Sequence, residues 1–171
     1  MTINDKHRHE PRKLEVFVPS NRKYRNGKPM GFVGLNDLID AAKGSRFGHK
    51  EERVKFEAER HIASVVRKEM RRIGWRMPEC RCDVHLEYVE PNAKRDPDNI
   101  TGGGSKVVMD ALCKPKLLRK TASGKEIWRH YNGCSALYDD DQKHVHLVAE
   151  VSDEYDKDKP GVWIRITERG D

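Results

Sequence analysis

Apolar and polar residues alternate in four short stretches of this chain, and in one long stretch apolar residues return every third or fourth position. Leu14, Val16 and Val18 alternate with Lys13, Glu15 and Phe17, and Pro19-Ser20-Asn21 ends the run. Residues 81–89 place Cys82, Val84, Leu86 and Tyr88 on one side. Val145, Leu147 and Ala149 alternate again, as do Val162, Ile164 and Ile166 beyond a charged turn ending in Pro160-Gly161. A period of two marks a strand with one buried face, so each stretch predicts a strand. Val54, Ala58, Ile62, Val65, Val66, Met70 and Ile73 recur at helical spacing from about 50 to 73, with Gly74 placed to stop the helix. Its other face carries Arg53, Lys55, Arg60, Arg67, Lys68, Arg71 and Arg72 among glutamates, as a solvated face does. Lys106 to Leu112 suits a short helix, with Ser105 as its cap and Pro115 beyond its end. The order strand, helix, strand, helix, strand, strand implies an α+β domain with helices packed on a small mixed sheet.

Between these elements, residues 1–12 read as a polar, flexible leader and 13–171 as a single domain. Residues 21–34 form a basic surface loop, in which Arg22, Lys23, Arg25 and Lys28 can touch phosphates. The segment 114–137, with Lys114, Lys116, Arg119 and Lys120 before a Ser123-Gly124 turn, suits a loop or short hairpin. Gly102-Gly103-Gly104-Ser105 reads as a flexible connection or as backbone N–H groups offered to an anion.

The net charge of +6 over 171 residues is uneven. Residues 1–30 hold eight Lys/Arg against three acids, and residues 138–171 hold five against ten. A basic end and an acidic end suit a nucleic-acid binder that also holds a metal. The four cysteines show no Cys-x-x-Cys spacing, and no long apolar run interrupts the chain, so a cytoplasmic protein with reduced thiols and no membrane partner is expected. Cys80 and Cys82, with His144 and His146, are a conceivable zinc set if the two pairs meet.

The chemistry concentrates in Arg95-Asp96-Pro97-Asp98-Asn99, which follows a predicted strand, and in Asp139-Asp140-Asp141. Acidic side chains from two segments supply the hard oxygen ligands that Mg²⁺ prefers, and a metal-bound water is a nucleophile at neutral pH. Asp, Pro and Asn also form ordinary turns. An EF-hand loop is excluded, because Ile100 and Thr101 stand where it needs a ligand and a glycine. A P-loop is excluded by glycine spacing and by Ser105 preceding Lys106. The Asp-x-Asp pattern also occurs in metal-dependent sugar-nucleotide transferases, although the chain has few of the repeated strand-helix units such a domain uses.

Taken together, Arg95-Asp96-Pro97-Asp98-Asn99, Lys106 with Asp110-Ala111-Leu112, and Asp139-Asp140-Asp141-Gln142 closely resemble the RusA family of Holliday junction resolvases, found largely in phages and prophages. Pro19-Ser20-Asn21 resembles that family's early Pro-Ser-x-Asn, and the resemblance spans about residues 14–167. It implies a homodimeric RusA-like endonuclease that uses Mg²⁺, with Mn²⁺ as a substitute, to cut four-way DNA junctions symmetrically in recombination and repair. Carried over by position, Asp96, Asp98 and Asp140 would bind the metal and Lys106 would stabilise the phosphate or leaving oxygen, with Asp110 orienting Lys106. Arg22, Lys23, Arg25, Lys28, Lys94, Arg95, Lys114, Lys116, Arg119 and Lys120 would grip DNA. The chain departs from the pattern in the stretch 101–105, which sets Lys106 further from Asp98, and in the longer segment 113–138. A junction-binding module without catalysis is the alternative these departures motivate.

Overall fold

The computed structural model describes residues 10–44 and 49–170, with side chains described outside 49–51 in the second range. Most of the leader expected over 1–12 lies outside the described residues. Arg12, its last residue, is held by Glu168, with Nε donating to Oε2 at 2.9 Å.

Four strands form one mixed sheet: β1 (Lys13–Pro19), β2 (Cys82–Val89), β5 (Val145–Val151) and β6 (Gly161–Glu168), in the order β1-β6-β2-β5. β6 runs antiparallel to both β1 and β2, while β2 and β5 are parallel. A parallel neighbour needs a crossover connection, and the helix α3 (Pro97–Leu112) lies within the one joining β2 to β5. Two further helices, α1 (Leu35–Lys43) and α2 (His49–Ile73), precede β2. A separate hairpin, β3 (Lys116–Lys120) with β4 (Glu126–Arg129), follows α3. The architecture is therefore α+β.

In β2 and β6 the alternating residues bury as their period requires: Cys82, Val84, Leu86 and Tyr88 are all buried, as are Val162, Ile164 and Ile166, whereas in β5 Val145 is buried and Leu147 is exposed. The apolar stripe of α2, through Ala58, Ile62, Ala63 and Val66, joins them in one core with Val107, Val108 and Leu112 of α3.

Three expectations are corrected. α3 begins at Pro97, not near Ser105, and its cap is Asp96, whose side chain accepts from the Asp98 N–H at 3.0 Å. Proline at the first turn loses no helical hydrogen bond, which is why Asp-Pro-Asp opens a helix here. The glycine run is helical, because it admits neighbours. A Cβ on Gly103 would overlap the backbone of Leu35, and one on Gly104 would stand 3.0 Å from the Tyr88 hydroxyl. Within the basic loop expected over 21–34, Phe32 and Val33 are core residues.

The zinc set does not assemble. Cys82 faces the core and burial pushes its thiol pKa up to about 12, while His146, on the other face of the sheet, bonds Asp83 at 3.1 Å. All four cysteines are free thiols. Among the described residues, no helix is long and apolar enough to cross a membrane.

Candidate metal and phosphodiester site

The site lies at the C-terminal end of α3, where the helix meets the base of the β3–β4 hairpin and the Asp139-Asp140-Asp141 turn. Lys106 and Asp110 stand one helical turn apart, and Lys106 Nζ donates to Asp110 Oδ1 at 2.8 Å. The same ammonium donates to Asp140 Oδ2 at 3.2 Å. It thus joins two carboxylates that are 30 residues apart in sequence. Asp140 Oδ1 accepts from Arg129 Nη2 at 2.5 Å, and that nitrogen is also 3.1 Å from Asp139 Oδ1.

His130 fills the space behind these groups. Its Nδ1 is 2.9 Å from Asp110 Oδ1 and its Nε2 is 3.2 Å from Asp139 Oδ1. Its backbone is left-handed, at φ 53°. For a residue other than glycine such a conformation costs about 1–3 kcal/mol, so the surroundings hold it there. Lys55 of α2 reaches in from the other side to Asp110 Oδ2 at 2.8 Å.

Asp110 is buried in the last turn of α3, where the helix dipole disfavours a negative charge and no basic residue of that turn offsets it. Burial alone would raise its pKa, but the bonds from His130, Lys106 and Lys55 reverse that and hold the carboxylate well below its usual range. Asp140 behaves alike: burial opposes ionisation, and the bonds from Arg129 and Lys106 lower its pKa below the ordinary value. Burial would lower the pKa values of Lys106 and His130, yet their aspartate partners raise both. The four shifts oppose burial: Asp110 and Asp140 are pushed toward the ionised form, Lys106 and His130 toward the protonated one.

Asp110, His130 and Asp140 offer ligand atoms that all lie within 4.8 Å of one another, the only such grouping of His, Cys, Asp and Glu among the described residues. Two ionised carboxylates are oxygen donors of the kind Mg²⁺ and Mn²⁺ take, and an imidazole suits the transition metal of the two. The donor chemistry fits a divalent cation.

The structure brings Asp140 and Lys106 together and leaves Asp96 and Asp98 apart from them. Asp96 and Asp98 are exposed at the opposite end of α3, with Asp98 and Lys106 separated by about 12 Å of helix rise. Asn99 of the same motif has a framing role, accepting the Asn36 N–H of α1 at 2.6 Å. Arg129, His130 and Lys55 are not evident from sequence, whereas Asp139 belongs to the acidic run that the motif singles out. The first three come from a hairpin end and a second helix, and only the basic-acidic spacing of 129–140 gives a signal.

The cations expected to grip DNA divide in two. Arg22 pairs with Asp37 at 2.8 Å, and Arg95 donates to the Phe32 carbonyl at 2.7 Å beside Glu90 and Asp37, so both brace the fold. Lys23, Arg25, Lys28, Lys94, Lys114, Lys116, Arg119 and Lys120 are exposed. Lys114 lies over the Tyr138 ring and Lys120 pairs with Glu126 at 3.0 Å. Comparison with models of protein families, with curated proteins and with solved structures finds no match to this chain.

Proposed function

We propose that this protein is a metal-dependent, structure-selective DNA endonuclease of the RusA type, acting as a homodimer that nicks two strands of a four-way junction. The observation that carries this reading is Lys106, held between Asp110 and Asp140 by bonds of 2.8 and 3.2 Å. It joins residues that the sequence motif separates.

Asp140, Asp110 and His130 would hold Mg²⁺ or Mn²⁺, which when bound supplies an activated water and neutralises charge on the phosphate. Asp96 and Asp98, at the far end of the helix, belong to a different edge and are not proposed as ligands of that ion. The protein's own groups do the rest. Lys106 and Arg129 are 57% and 41% exposed while bonded to the carboxylates, so each presents positive charge to a phosphate that enters from solvent. In hydrolysis, water oxygen adds to phosphorus and gives up a proton to solvent, one ester P–O bond breaks, and the departing oxygen takes a proton from solvent. Lys106, kept protonated, is placed to stabilise that oxygen. Exposed Lys23, Arg25, Lys28, Lys94 and Lys114 supply sequence-independent grip on the backbone. A two-fold dimer presents two identical centres, as paired nicks require.

One observation favours a second reading, a junction-binding module without catalysis: both oxygens of Asp110 and of Asp140 already bond cationic side chains. Incubating a labelled synthetic four-way junction beside linear duplex of the same sequence, with Mg²⁺, Mn²⁺ or EDTA, separates the two. Paired nicks on the junction that need the metal are expected. Tight junction binding with no nicks under any condition contradicts the endonuclease and leaves the binding module.

A further inference from the structure

The β3–β4 hairpin is the least covered element of the fold. All five residues of β3 are exposed, and its ladder is separate from the four-stranded sheet. A two-stranded hairpin is at best marginally stable alone in water, so apolar side chains left bare on one need a reason.

Its pairing sorts the side chains onto two faces. Lys116 stands opposite Arg129 and Leu117 opposite Trp128; the register then shifts, so that Arg119 stands opposite Ile127 and Lys120 opposite Glu126. Residues directly opposite share a face and successive residues alternate. Lys116, Arg119 and Arg129 therefore line one face, together with Ile127. Leu117 and Trp128 share the other with Lys120 and Glu126. The basic face is the one that turns toward the site, because Arg129 reaches Asp140 from it. Cations directly opposite one another repel, and neither Lys116 nor Arg119 has an ion-pair partner among the described residues. That face is short of negative charge.

The second face has the opposite character. Leu117 is 40% and Trp128 38% exposed, and Tyr131 beside them is 57% exposed. The Tyr131 ring lies 6.1 Å from Trp128 and 6.4 Å from Phe56 of α2, which props the aromatic row against the body of the protein. Trp128 Nε1 donates to Glu126 at 3.1 Å, so its one polar atom is satisfied and fixes the ring.

We propose that the hairpin is a wedge for branched DNA: Lys116, Arg119 and Arg129 hold phosphates of the strand passing Asp140, while Trp128 and Leu117 stack against unpaired bases at the branch point. A polyanion answers the uncompensated cations and a flat base answers the exposed indole, so one partner satisfies both faces. The inference rests on the proposed function for its choice of substrate, but base stacking can be measured without cleavage.

The test titrates tryptophan emission with a dT oligonucleotide and with a four-way junction in EDTA, using Trp128→Phe to subtract Trp75 and Trp163. Saturable quenching is expected, with Trp128→Ala weakening junction binding roughly tenfold, the range of one lost base-aromatic stack. A 2-aminopurine at the junction centre should change its emission when wild type binds and keep its free-junction emission with Trp128→Ala. Unchanged emission, affinity and 2-aminopurine signal in a Trp128→Ala protein of wild-type circular dichroism would overturn the wedge. So would conversion of a dimer to a monomer by that substitution in sedimentation, which would make the face a contact between copies. Metal-dependent nicking that ignores Trp128 rejects the wedge and keeps the endonuclease, whereas quenching without any nicking keeps the wedge and rejects the endonuclease.

Discussion

The two ends of α3 carry similar acids and bases but treat them in opposite ways. At the N-terminus, Asp96 caps the helix and Asp98 sits in its first turn, both exposed, where the dipole favours negative charge. Behind them Glu90 is buried, with no hydrogen bond to either oxygen among the described residues and with Arg95 3.4 Å away. Burial raises its pKa above the ordinary glutamate value. At the C-terminus, Asp110 is also buried, and against the dipole, yet Lys106, Lys55 and His130 hold its pKa down. The acids at the first end help the helix form. The acid at the second end is kept in place, against helix preference, by bonds from Lys106, Lys55 and His130.

Removing Asp110 should have the largest effect on stability, because it strands Lys55, Lys106 and His130 in a half-buried site. Asp110→Ala should lose about 3–5 kcal/mol in urea unfolding, and a loss below 1 kcal/mol would break the contrast. The helix joint comes next. Gly103→Ala forces a Cβ into the Leu35 backbone and should cost about 1–3 kcal/mol. Gly102, on the same helix with open space around its Cα, should instead gain about 0.5–1 kcal/mol on substitution by alanine. Thermal melts of the two variants read the opposite signs directly.

The two buried acids should also differ in pH response. Glu90 has a raised folded pKa, so its stability contribution is present below the unfolded value and is lost as pH rises through the folded one. Asp110 has a lowered folded pKa, so its contribution holds above the unfolded value and is lost as pH falls through the folded one. Glu90→Gln should therefore gain on wild type in denaturant midpoints as pH rises above the ordinary glutamate value. A difference that stays flat over that range would show that Arg95 already compensates Glu90.

Period-two alternation identified the four main strands, and the spacing of Val54 to Ile73 identified α2, because one buried face leaves a direct imprint on sequence. α3 was legible only in its second half. Its first half is written in glycines, whose helical state depends on Leu35 and Tyr88 lying close by, a fact of tertiary packing. Of the site, Lys106, Asp110, Asp139 and Asp140 carry motif signals. His130 does not, since a buried histidine with left-handed backbone has no local signature, and Lys55 is one lysine on a helix face full of them. The motif also places Asp96 and Asp98 with Asp140, whereas a helix running from Pro97 carries them away from it.

Junction cleavage by Asp140→Asn and by Asp98→Asn, each compared with wild type at equal junction binding, separates the two ends of α3. Asp140→Asn should abolish metal-dependent nicking while Asp98→Asn keeps a readily measured part of it. Full loss with Asp98→Asn and retained nicking with Asp140→Asn would contradict the proposed site, and would move the chemistry to the other end of α3.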